Sequence, residues 1–163
     1  MKTITTKEFT RCVKDVDHGL VPGVLTEYLN ATCAAMPDGN GKVMVSDDFE
    51  DKLKSLTSEI RQGDLVWSND NGFLLIVDLH PKISDDGHHY RAFRTKIDSD
   101  GLVRLAGSLR SVVVDKSRCL RIRPTTFNLA DINRLSYERY QMYARITEID
   151  TLLDAMKEKT HAQ

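Results

Sequence analysis

Residues 69–107 read NDNGFLLIVDLHPKISDDGHHYRAFRTKIDSDGLVRLAG, and three turn signals divide them: Asp70-Asn71-Gly72, Asp85-Asp86-Gly87 and Ser99-Asp100-Gly101. Each ends in glycine, the residue that most easily takes the left-handed conformation needed at the third position of a three-residue hairpin loop. Pairing the flanks of the last turn puts Asp98 opposite Leu102, Ile97 opposite Val103 and Thr95 opposite Leu105. The middle turn puts Ser84 opposite His88, Leu79 opposite Phe93, Val77 opposite Thr95 and Leu75 opposite Ile97. The first puts Asn69 opposite Phe73, Trp67 opposite Leu75 and Leu65 opposite Val77. Three separate turns thus yield one apolar face. A one-residue slip would invert a strand's faces, so their agreement specifies an antiparallel meander.

Working outward, a fourth strand is expected from Leu102 to about Val114, with Gly107 as a kink. Asp115-Lys116-Ser117-Arg118 then turns into a fifth strand, Cys119 to Arg123, ended by Pro124. Five short strands this tightly connected predict a small antiparallel SH3-like barrel over residues 63–124. An oligonucleotide-binding barrel would need longer strands and a helix after the third.

Residues 1–62 read as a helical region. Thr5 and Glu8 form a capping box ahead of Phe9, Cys12, Val13 and Val16 at helix spacing, and Gly19 stops that helix. Pro22 suits the first turn of a second helix with the stripe Val24, Leu25, Tyr28, Leu29, Cys33 and Met36. A third starts near Ser46 and Asp47, where Asp47 and Glu50 can cap reciprocally, and presents Phe49, Leu53, Leu56 and Ile60. After the barrel, Phe127 and Asn128 form a staple and N-cap for a long helix in residues 125–163. The fold class expected is therefore α+β.

In that last helix Ile132, Leu135, Arg139, Met142, Ile146, Ile149, Leu153 and Met156 recur at alternating intervals of three and four, a heptad seam broken only by Arg139. Two arrangements follow from it. The helix packs on its own chain along the N-terminal helices, or it forms a homodimeric coiled coil through Ile132, Leu135, Met142, Ile146, Ile149 and Leu153. The flanking Tyr137, Tyr140 and Tyr143 are expected to be packing residues.

The run IRQGDLVWSNDNGFLLIV, residues 60–77, resembles a degenerate KOW motif through Gly63, Asp64, Val66 and Gly72. The KOW and Tudor families are SH3-like barrels of transcription-elongation and ribosome-associated proteins, and the resemblance implies contact with nucleic acid or protein. A barrel of this kind with added helices also resembles the MotB-like family of phage early transcription modulators, which implies DNA binding. The departure from the KOW pattern lies at Ser68, Asn69 and Asp70, where that pattern carries more glycine and lysine.

The 163 residues carry 23 basic and 24 acidic groups, a composition that excludes disordered and fibrous classes. The longest apolar run, Phe73 to Val77, is far too short to span a bilayer. Three cysteines, far apart and in no CxxC pair, suit a reducing cytoplasm and no disulfide framework. Charge is uneven, however. Residues 89–123 hold nine basic groups and three acidic ones. With Phe93, Ile97, Val103, Leu105, Leu120 and Ile122 facing inward, alternation sends Arg94, Lys96, Arg104, Arg121 and Arg123 outward, with Arg110 beyond the kink. Lys96 then lies opposite Arg104, a like-charge pair that suits a face meeting an anion. Seven of the nine are arginine, which favours bidentate phosphate contacts.

His80, His88 and His89 beside Asp85 and Asp86 do not converge on a metal, since adjacent strand residues alternate in face and His80 falls opposite Ala92. Cys12, Cys33 and Cys119 read as packing residues. No nucleophile has an identifiable base. The expectation is a non-enzymatic protein without cofactor or metal, binding duplex DNA by backbone contacts with little sequence preference and acting on transcription. The competing expectation is an adaptor or inhibitor of a cellular protein such as RNA polymerase or a nucleoid protein.

Overall fold

The computed structural model describes residues 1–82, 87–107 and 109–161, with side chains described as far as Lys157. Its class is α+β. The N-terminal part runs β1 (Lys2–Thr5), α1 (Thr6–Val16), α2 (Val24–Ala31), β2 (Ala35–Pro37), β3 (Lys42–Val45) and α3 (Phe49–Leu56). All three expected helices form, but α2 starts at Val24 behind the left-handed Gly23, so Pro22 precedes it, and α3 ends at Leu56, so Ile60 lies beyond it. The antiparallel sheet of order β1-β3-β2 is a structural addition to the expected helical region. The Thr5–Glu8 capping box is present in both directions. Helix α2 is shorter than its apolar stripe, because Cys33 turns left-handed at φ 53° and Ala34 N–H closes onto the Leu29 carbonyl. Cys33 is consequently exposed, and Met36 lies in β2. The reciprocal cap expected of Asp47 and Glu50 is replaced by another bond, in which the Met1 amino group donates to Asp47 at 3.1 Å.

The larger sheet comprises β4 (Asp64–Ser68), β5 (Gly72–Asp78), β6 (His89–Ile97), β7 (Val103–Leu105), β8 (Ser111–Asp115) and β9 (Cys119–Pro124), in the order β7-β6-β5-β4-β9 with β8 also on β6. The expected fourth strand is thus two strands on one neighbour, interrupted around Gly107. A 3-10 turn, Lys116–Arg118, leads into β9. Among the described residues β8 and β9 do not pair, so the sheet is not closed.

The three registers fared differently. At Ser99-Asp100-Gly101 the pairs Thr95–Leu105, Lys96–Arg104 and Ile97–Val103 are those expected. At the first turn the pairing is two residues tighter, Trp67 facing Phe73 and Leu65 facing Leu75, because Asn71 N–H already closes onto the Ser68 carbonyl and Gly72 becomes the first strand residue. Between β5 and β6 the shift is four residues, with Leu75 facing Phe93, Ile76 facing Ala92 and a bulge before Asp78–Arg91. Pro81 lacks an N–H, so the ladder stops well short of the turn. The expected Ser84–His88 pair falls on residues 83–86, outside the described ones.

Both corrections are even-numbered and keep each strand's faces. The opposite face is nevertheless not outward. Val66, Leu74, Ile76 and Ala92 are fully buried there with Val114, Cys119 and Ile60. The first face packs at one end through Leu120, Trp67 and Phe73 against α1 to α3, where the Tyr28 and Trp67 rings meet edge-on at 5.3 Å. At the other end Leu75, Val77 and Phe93 pack against Ile132 of α4 (Leu129–His161).

Gly101 adopts φ 77°, and its N–H donates to the Asp98 carbonyl at 2.9 Å. A Cβ there would meet no atom within 4 Å, so the cost of a substitution is backbone strain alone. Gly101→Val is expected to lower stability by about 1–2 kcal/mol in urea unfolding, and Asp100→Asn by less than about 0.5. Equal effects would contradict this hairpin.

Candidate nucleic-acid interface

Six cations carry the sequence-based expectation, and the fold distributes them over four places. Arg94 and Lys96 are exposed on β6, two residues apart and therefore on one face, and Arg104 of β7 stands directly opposite Lys96. Arg94 donates to the Asn71 side chain at 3.3 Å, and the Arg104 guanidinium bonds Asp98 at 2.6 Å. Lys96 has neither hydrogen bond nor ion pair among the described residues. Arg118, absent from the expected set, ends the 3-10 turn just before β9, with Asp70 of the first turn 3.7 Å away.

Arg121 and Arg123 lie on β9, separated from β6 by β5 and β4. The bulge between Leu65 and Val66 puts Arg121 opposite Val66 and Arg123 opposite Leu65, two residues of β4 that point to opposite faces. The two arginines therefore do not share one surface, as simple alternation along β9 had implied. Arg121 is also committed internally. Its Nε donates to Asp64 at 2.7 Å, and Asp64 is 2% exposed and takes a further bond from the Arg61 N–H at 2.9 Å. Arg110 is elsewhere again, 6.0 Å from the ring centre of Tyr143 on α4.

The Gly-Asp of residues 63–64 has a structural use. Gly63 is left-handed, donates to the Ile76 carbonyl and accepts from Thr125, while Asp64 holds Arg121. On the far side, burial and then the nearby Asp115 push the Cys119 thiol up to about 12, which makes it a packing group. The Ser117 hydroxyl and N–H hold the Asp115 carboxyl below its ordinary value, fixing the turn into β9. The Arg139 hydrogen bond lowers the Tyr143 phenol, and Arg139 also donates to the Gly107 carbonyl.

The seam residues divide as well. Ile132 is buried in its own chain, so it is unavailable to a partner, whereas Leu135, Met142, Ile146, Ile149 and Leu153 are exposed. Tyr137, Tyr140 and Tyr143 are exposed rather than packed. Among the described residues no group of three or more metal-ligating side chains is assembled, and no helix is long and apolar enough to cross a membrane. Asp85 and Asp86 lie outside the described residues. Comparison of the chain with protein-family models, curated proteins and solved structures found no match.

Proposed function

We propose that this chain is a non-enzymatic regulator of transcription that binds the backbone of duplex DNA through the β6–β7 hairpin, with low sequence specificity. The observation that carries the reading is the Lys96–Arg104 cross-strand pair with Arg94 beside it. Asp98 balances Arg104 at 2.6 Å, whereas Lys96 opposite it has no carboxylate among the described residues, so an anion reaching both removes the repulsion that remains. Arg94, Lys96 and Arg104 can each take a phosphate oxygen, and the hairpin carries no recognition helix that would read bases.

We further read β4 to β9 as an SH3-like barrel of the KOW/Tudor type. Support comes from the strand order, the single 3-10 turn before the last strand, and the common interior of Val66, Leu74, Ile76, Ala92, Val114 and Cys119. The transcriptional role rests on the KOW-like run at residues 60–77.

Three contacts predict a log–log salt slope near −3 for duplex binding, since each neutralised phosphate contributes about −0.9. Replacing Lys96 and Arg104 together with Gln is expected to weaken every duplex alike and reduce the slope by about two. Stability should stay within about 0.5 kcal/mol, because the lost Arg104–Asp98 pair is exposed and the repulsion is gone. Titration of labelled duplexes at several salt concentrations measures this. A double variant that binds as tightly as wild type would transfer the reading to a protein-binding adaptor.

A further inference from the structure

α4 meets the segment before β8 through Ser136, whose hydroxyl donates to the Leu109 carbonyl, Arg139, which reaches Gly107, and Tyr143, whose ring centre lies 6.0 Å from Arg110. Every residue from 140 to 157 is exposed. A lone helix of that length is marginal in water, because most helical stability in proteins comes from packing an apolar face. That face exists: Met142, Ile146, Ile149, Leu153 and Met156 are between 42% and 66% exposed and follow heptad spacing. We propose that residues 142–156 form a parallel two-stranded coiled coil with a second copy of this chain.

The charges decide both occupant and direction. With Ile146 and Leu153 at a, and Met142, Ile149 and Met156 at d, Arg145 takes position g and Asp150 the following e. In a parallel pair, g of one chain faces the next e of the other, so Arg145 meets Asp150 twice, once on each side of the two-fold axis. In an antiparallel pair g faces g and e faces e, and the two residues never meet. Asp150 has no partner among the described residues of its own chain, and Arg145 has only Glu148 one turn on.

The five seam residues and Leu152 at g are 42% to 66% exposed, on the order of 600 Å² per chain, so a pair that covers most of it approaches the ~1,200 Å² where stable interfaces begin. Ile146 at a favours two strands, while Ile149 at d beside Leu153 at a favours more; the two-fold pair is the smallest closed assembly in which Arg145 meets Asp150 on both sides. The inference does not depend on DNA binding, since it uses no residue of the β6–β7 hairpin.

Sedimentation equilibrium on the full chain from 1 to 300 µM tests it, with twice the 18.5 kDa chain mass expected at the upper end. Arg145→Glu and Asp150→Arg are each expected to raise the dimer dissociation constant about tenfold, because each turns two attractive contacts into repulsive ones. Mixing the two single variants should restore association to within about threefold of wild type, since opposite charges again meet at both sites. A simple loss of helix stability in either variant would not be rescued by mixing. A wild-type chain that stays monomeric across the range overturns the coiled coil. A mixture no tighter than its components overturns the parallel pairing, and a trimer mass overturns the two-stranded state.

Discussion

Arg121→Ala is expected to destabilise the protein by about 2–4 kcal/mol in urea unfolding, more than Asp100→Asn or the joint replacement of Lys96 and Arg104 on the β6–β7 hairpin. The cause is the carboxylate left behind. Asp64 is 2% exposed and relies on Arg121 for the 2.7 Å bond that compensates its charge. Removing one partner of a buried ion pair costs about 3–5 kcal/mol, because the other charge stays desolvated. Arg121 is itself a quarter exposed, so water entering its space relieves part of that. The double variant Asp64→Asn with Arg121→Met should lose less than Arg121→Ala alone, since it strands no charge. A loss below about 0.5 kcal/mol in Arg121→Ala would return Arg121 to the solvated surface, where the sequence had placed it.

That reversal shows what kind of information strand alternation carries. Alternation puts Arg121 on the face opposite Leu120 correctly, but it cannot report that this second face is also interior, nor that an acid waits at its edge. The signal for two-sided burial is present in Phe73 to Val77, a continuous apolar run of the sort found in strands covered on both faces. Arg123 departs for a different reason. A bulge beside Leu65 inserts one residue into β9, and no local residue pattern at Ile122 announces it.

The Lys96–Arg104 pair, in contrast, is legible because its turn is short, ends in a left-handed glycine and fixes the register by itself. The β5–β6 register is not, since Pro81 ends the ladder early and a loop of unfixed length no longer counts residues. The small N-terminal sheet is written only in Lys42-Val43-Met44-Val45, whose alternation of exposed and buried residues spans a single strand.

Two isoleucines on one helix should respond in opposite ways. Ile132 is 5% exposed and packs with Leu75, Val77 and Phe93, whereas Ile146 is 52% exposed. At concentrations where the chain is monomeric, Ile132→Ala is expected to cost about 2–4 kcal/mol, the sum of lost transfer energy and the cavity left against the sheet. Ile146→Ala should cost less than about 0.5 in the same samples, as surface substitutions do. Raising the concentration should separate them further. Stability gained by association scales with the logarithm of protein concentration, and only Ile146→Ala removes that gain while leaving the root of α4 seated. Denaturant midpoints at 1 and 100 µM measure both effects. A large loss for Ile146→Ala at 1 µM would mean that the distal half of α4 packs on its own chain, and the seam would then have no face left for a second copy.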